Sequence, residues 1–297
     1  MGTGSWFCLV KKHDIDMLQW FYFVQRDFMI GYVDVHTHLT HKDFAGDLDE
    51  VIKRAELAGL GAVVVNGLEP ESNRAILKMA GSYPVIKAAL GIYPIDGVWD
   101  QLPEDFPIKV RSFDVDAEID FIREQARNGK LVAIGECGLD GYWLGEETYK
   151  KQEFVFEALL EIAMSADIPV IIHSRKRERR VIEILKVYGP KKVDFHCYGG
   201  KTRLAIQVAN EHGWYFSLPA NAGVNEAFQK LLRELPVERI LTETDAPYLA
   251  PVRKTRNEPA NVVHTVDLLA SLRGWNIQKA KSVIWDNYQR LFGPVQT

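Results

Sequence analysis

Along most of this chain, short apolar runs alternate with longer stretches whose apolar positions recur every three or four residues. The runs read as β-strands and the stretches as amphipathic helices, because side chains return to one face every two residues in a strand and about every 3.6 in a helix. Tyr32-Val33-Asp34-Val35-His36-Thr37-His38 opens the series. In Asp47 to Ala58 the residues Leu48, Val51, Ile52, Ala55 and Ala58 mark one helical face, and Gly59 is placed to stop it. Ala62-Val63-Val64-Val65 lacks polar alternation, as expected of a strand covered on both faces. The spacing predicts further strands over Val85 to Leu90, Leu131 to Gly135, Pro169 to His173, Val193 to His196, Trp214 to Leu218 and Arg239 to Thr242. It predicts helices over Ser72 to Ala80, Val115 to Asn128, Thr148 to Ala166, Arg179 to Tyr188, Arg203 to Glu211 and Glu226 to Glu234. Helices over Val262 to Leu272 and Gln278 to Leu291 close the chain.

Eight strands separated by helices, with no break in composition, predict an α/β fold built as one (β/α)8 TIM barrel over residues 29–297. An open doubly wound sheet is the rival, but no G-x-G-x-x-G follows any strand. The longest aperiodic stretch, Gly91 to Asp114, carries Pro94, Pro103 and Pro107 and follows the third strand. In a barrel that is a loop on the face where substrate contacts gather. Residues 1–28 precede the repeat and read as an appendage, either a start assigned upstream of Met29 or a docking segment.

Composition narrows the setting. A formal net charge of -4 and a pI near 6.1 exclude a generally basic nucleic-acid coat protein, but not a nuclease with a carboxylate-rich metal site. Cys8, Cys137 and Cys197 lie far apart without C-x-x-C spacing, so neither a disulfide scaffold nor a structural zinc module is indicated, and a cytoplasmic setting is expected. No run approaches the ~18 apolar residues that span a bilayer. Met17 to Val24 is too short and is broken by Gln19.

The chemistry gathers at strand ends. His36 and His38 stand two apart, so one strand face presents both imidazoles to one centre. Glu136 follows the fourth strand, His173 and His196 end the fifth and sixth, and Asp245 lies just past the eighth. Barrel closure brings all of these to one mouth. His13, His41, His212 and His264 lie elsewhere and read as structural or solvent-facing. Six donors exceed one tetrahedral ion and suit two divalent ions sharing a carboxylate. Glu136 is the natural bridge because its two oxygens can be divided. The expected sets are His36, His38, Glu136 and Asp245 for one ion, and Glu136, His173 and His196 for the other. Asp245 is the expected general base for an attacking water, and Asp34, two residues before His36, is placed to fix a histidine's orientation.

These residues sit in recognisable stretches: Asp34-Val35-His36-Thr37-His38, Ala133-Ile134-Gly135-Glu136-Cys137-Gly138-Leu139-Asp140, His173-Ser174-Arg175, His196-Cys197-Tyr198-Gly199-Gly200 and Glu243-Thr244-Asp245-Ala246-Pro247-Tyr248-Leu249. In order and spacing they resemble the TatD family of metal-dependent deoxyribonucleases, as does Arg256-Asn257-Glu258-Pro259. The resemblance runs from about residue 30 to the C-terminus. It implies a TIM barrel of the amidohydrolase type, divalent metals (Mg, Mn or Zn) on the same six ligands, and hydrolysis of DNA phosphodiesters, commonly from 3′ to 5′. Where many members carry a histidine after strand three, this chain reads Gly91-Ile92-Tyr93-Pro94, so Tyr93 is expected to donate to a phosphate oxygen instead.

Arg175, two residues past His173, is the expected bidentate phosphate contact. Other cations nearby are Lys176, Arg177, Arg179, Arg180, Arg253, Lys254 and Arg256. The partner expected is DNA, single-stranded or at 3′ ends, with no membrane. The alternative is a hydrolase of the same superfamily acting on a small amide, lactone, ester or phosphoester, since fold and ligands do not separate the two.

Overall fold

The computed structural model describes residues 30–294; the appendage expected over residues 1–28 lies outside them. Eight strands follow one another in order as β1 (Tyr32–Thr37), β2 (Leu60–Asn66), β3 (Ile86–Leu90), β4 (Ala133–Asp140), β5 (Val170–Arg175), β6 (Val193–His196), β7 (Tyr215–Leu218) and β8 (Ile240–Thr242). Each pairs in parallel with the next, giving the order β1-β2-β3-β4-β5-β6-β7-β8. The ring closes where Asp245 N–H donates to His36 O (2.8 Å) and His38 N–H donates to Ala246 O (2.8 Å). Closure therefore falls on the two segments that carry ligand candidates.

The helices are α1 (Leu48–Leu57), α2 (Pro70–Ser82), α3 (Val115–Arg127), α4 (Tyr149–Ala166), α5 (Glu178–Tyr188), α6 (Thr202–His212), α7 (Glu226–Glu234), α8 (Val263–Arg273) and α9 (Ile277–Phe292). The helices bury apolar stripes, as Val155, Phe156, Leu159, Leu160 and Ala163 do in α4, which packs on β4. Burying such a side chain contributes roughly 1.5–3 kcal/mol.

Local chemistry sets the boundaries. Helix α2 starts at Pro70, ahead of the spacing-based start at Ser72, because Glu69 accepts from the N–H groups of Glu71 (2.6 Å) and Ser72 (2.8 Å) while Ser72 Oγ accepts from Glu69 N–H. Asp114 and Asn276 cap α3 and α9 in the same way, through Ala117 N–H and Lys279 N–H. The stretch Gly91 to Asp114 holds a 3-10 turn, Asp96–Gln101. Its Ile95 and Val98 pack with Leu144 from the loop after β4, and Tyr93 leans on that cluster.

Strand β4 departs from expectation. It continues to Asp140, so Glu136 lies within the strand and not past its end. The extension exists because Gly138, Leu139 and Asp140 pair with His173, Ser174 and Arg175 of β5. Gly138 makes that pairing feasible: its φ is +143°, and a Cβ there would collide with the His173 carbonyl oxygen.

Candidate metal centre

Glu136 stands at the middle of the strand-end residues. Its Oε2 lies 3.4 Å from His36 Nε2 and 3.4 Å from His38 Nε2. Its Oε1 lies 2.8 Å from His173 Nδ1 and 3.1 Å from His196 Nε2. One carboxylate thus turns each oxygen toward a separate histidine pair. Gly91 lets the backbone reach this position, since a Cβ there would meet Gly135 C at 2.6 Å and Glu136 N at 2.7 Å.

The remaining candidates surround it. His36 and His38 Nε2 are 3.1 Å apart. Asp245 Oδ1 is 3.4 Å from His38 Nε2 and 3.8 Å from His36 Nε2. The rings of His36 and His196 stack with centroids 3.8 Å apart. The structure therefore brings together all six ligand candidates, each buried or nearly so.

Two tautomers follow from neighbours that can only accept, or that are held ionised. His38 Nδ1 is 3.2 Å from the Asn66 carbonyl oxygen, so it carries a proton and, when the ring is neutral, leaves Nε2 as a lone pair facing inward. His173 Nε2 is 2.9 Å from Asp140 Oδ2, which leaves Nδ1 toward Glu136 when the ring is neutral.

The donor set fits divalent metal ions. Ligand atoms about 2.0–2.1 Å from one ion lie roughly 3.0–3.4 Å from each other at octahedral to tetrahedral angles. His36 Nε2, His38 Nε2 and Glu136 Oε2 match that spacing, at 3.1, 3.4 and 3.4 Å. Glu136, His173 and His196 form a second group that could hold an ion, and His36, His196 and Glu243 a third. Among the described residues, buried His36 Nδ1, His196 Nδ1 and Glu243 Oε1 have no hydrogen-bond partner, an expense that ion binding nearby would offset.

Charge is redistributed accordingly. Burial would raise the Glu136 carboxyl, but His196, His173 and His36 outweigh it and hold it well below the usual range. Asp245 is likewise kept low against its burial by His38, His196 and His36. Burial and then the His196 charge push His36 down to about 4. The rings of His38, His173 and His196 are raised in spite of burial by their carboxylate neighbours. The acids are thus held ionised beside imidazoles, which become metal ligands when they release their protons.

The other expected residues divide. Tyr93 packs edge-on against His173, centroids 5.0 Å apart, and its phenol is pushed far up by burial and by Glu136 and Asp140, so it stays a donor. Arg175 is exposed at the end of β5. Among the described residues Asp34 makes no hydrogen bond to an imidazole ring. It accepts from Thr244 N–H (2.9 Å), Thr244 Oγ1 (2.5 Å) and His36 N–H (3.3 Å), and so ties the backbone of β1 to the segment carrying Asp245. Among the other cations, Arg177 and Arg180 pair with Glu153 at 2.8 and 2.7 Å, and Arg256 pairs with Asp47 at 2.6 Å. These arginines brace loops and helices.

Two residues escape strand-end reasoning. Asp140 holds His173, and Glu243 lies 3.7 Å from His196 Nδ1 while accepting from Ser217 Oγ at 2.5 Å. Each had a signal: Asp140 and Glu243 share the strand-face parity of Glu136 and Asp245.

Four imidazoles around a carboxylate at the carboxyl mouth of a parallel (β/α)8 barrel define a metal-dependent hydrolase. Residues 33–293 match the family described as TatD related DNase, and the chain belongs to that family. It is 31% identical over 267 residues to the human protein named deoxyribonuclease TATDN3, covering 89% of this chain and 95% of that one. It is 31% identical over 273 residues to the 3′-5′ ssDNA/RNA exonuclease TatD of Salmonella typhimurium, covering 87% and 98%. The crystal structure of YjjV, a TatD homologue from Escherichia coli, superposes with a TM-score of 0.77 at 23% identity, covering 90% and 99%, and supports the fold. No helix among the described residues is long and apolar enough to cross a membrane.

Proposed function

We propose that this chain is a deoxyribonuclease that removes nucleotides from the 3′ end of single-stranded DNA, using two divalent ions of Mg, Mn or Zn. The observation that carries the reading is the division of Glu136, one oxygen toward His36 and His38 and the other toward His173 and His196. Asp245 completes the first set, as its distances to His38 and His36 suggest. The relatives named as a deoxyribonuclease and as a 3′-5′ exonuclease support the substrate.

Bound ions would supply Lewis-acid charge at a phosphoryl oxygen and lower the pKa of a water. The side chains do the rest. Asp245 directs Oδ1 to the histidines, while Oδ2 has no hydrogen bond among the described residues and is assigned the water's proton. Tyr93 O–H donates to a phosphoryl oxygen, and Arg175 balances the charge of the strand. The small-ester alternative draws on the pairing of Arg177, Arg180 and Arg256 with carboxylates, which takes those cations from a phosphate backbone. Salt separates the two: affinity for DNA should fall steeply as salt rises, and a salt-independent KM on oligonucleotides would favour the small substrate.

A further inference from the structure

The turn after β4 carries aromatic side chains that the core does not use. Tyr142 is 53% and Trp143 39% exposed, although Leu144, the next residue, is buried in the cluster with Ile95 and Val98. The two rings meet edge to face with centroids 5.1 Å apart. The Arg175 guanidinium lies over the Tyr142 ring at 3.9 Å, and among the described residues it has no carboxylate partner. Four aromatic side chains are more than a third exposed among the described residues. Three of them, Tyr142, Trp143 and Tyr248, stand in loops at the carboxyl mouth of the barrel.

This turn is built firmly and joined to the metal centre. Asp140 Oδ1 accepts from Tyr142 N–H and Trp143 N–H, both at 2.7 Å, while Asp140 Oδ2 faces His173 Nε2 at 2.9 Å. Gly141 N–H donates to the Arg175 carbonyl oxygen at 2.8 Å. One imidazole and one carboxylate therefore separate Glu136 from the aromatic turn. Exposed rings on a fixed backbone present flat apolar faces with little entropy to lose, which is what stacking on a nucleobase requires. A guanidinium stacked on one ring keeps its edge N–H groups for a phosphate. Aromatic rings beside an unpaired cation fit a polyanion that carries planar bases. A duplex end would have to unpair to use them.

We propose that Tyr142, Trp143 and Arg175 form a platform on which bases of single-stranded DNA next to the scissile bond stack, so that unpaired ends are preferred over paired ones. The proposal rests on the nuclease reading above and adds where the bases are held.

The test uses the full chain with Mn2+ and a 3′-labelled single-stranded oligodeoxynucleotide. Tyr142→Ala and Trp143→Ala should each raise KM on the order of 10-fold, while Tyr142→Phe and Trp143→Phe keep the wild-type value. On an oligonucleotide abasic at the nucleotides flanking the 3′-terminal bond, wild-type KM should rise by a similar factor and Trp143→Ala should add nothing. Alanine variants with wild-type KM, or an alanine penalty undiminished on the abasic strand, would overturn the platform while leaving the nuclease reading in place. A wild-type chain that cuts no single-stranded DNA with any divalent ion would overturn both.

Discussion

Asp140 and His173 are joined by a buried contact in which Oδ2 lies 2.9 Å from Nε2, and the same imidazole turns Nδ1 to Glu136 at 2.8 Å. A carboxylate on the far nitrogen fixes both the orientation of the ring and its tautomer. Asp140→Ala should weaken metal binding by roughly 10–100-fold, as outer partners of ligating histidines usually do. Titration against a competing chelator measures this directly. Unchanged metal affinity would show that His173 is held by packing alone.

Asp245 is assigned the proton of the attacking water and only part of one ligand set. Asp245→Asn should cut turnover by on the order of 10²–10⁴-fold, the usual range for a general base, while most of the metal stays bound. Elemental analysis beside the kinetics separates the two effects. Full activity in this variant would remove the assignment.

Asp34 joins two segments of the centre through backbone groups of His36 and Thr244. Asp34→Ala leaves those donors buried without an acceptor, so stability should fall by about 1–3 kcal/mol. Denaturant unfolding of the metal-free protein reads the loss without interference from ion binding. A variant as stable as wild type would mean that the closure of the barrel does not depend on this carboxylate.

Glu153 supports the arginines near the mouth. The hydrogen-bonded Arg180 holds its carboxyl below the usual range, against burial and with help from Arg177. A carboxyl depressed on folding contributes stability above its unfolded value of about 4.3, and that contribution is lost as pH falls through the lower folded value. Glu153→Gln should therefore melt below wild type at pH 6, by about 1 kcal/mol or less, and the gap should close below pH of about 4. Thermal melts across pH 3–7 check the sign. A gap that widens on acidification would contradict it.

The barrel was legible because strands covered on both faces read as unbroken apolar runs, as in Ala62-Val63-Val64-Val65, and helices show one stripe. The six ligand candidates were legible because strand ends in a barrel share one mouth, so position along the chain translates into position in space. What stayed hidden depends on pairing between distant segments. The extension of β4 to Asp140 rests on β5, and Asp140 reads as a loop acid until that register is known. The pairing of Arg256 with Asp47, 209 residues away, makes a brace of a cation that the sequence shows only as one of several near the mouth. Asp34 and Asp194 each stand two residues before a ligand-candidate histidine. Their partners, Thr244 just past β8 and Ser217 in β7, come from distant parts of the chain and cannot be inferred from the D-x-H spacing.

The central claim is tested most directly by incubating the purified chain with Mg2+, Mn2+ or Zn2+ and single-stranded DNA labelled at the 3′ or the 5′ end, beside a panel of small esters and amides. Early loss of the 3′ label is expected, dependent on the divalent ion, stopped by a chelator and absent in Glu136→Gln. No metal-dependent cleavage of DNA, together with turnover of a small ester, would contradict it.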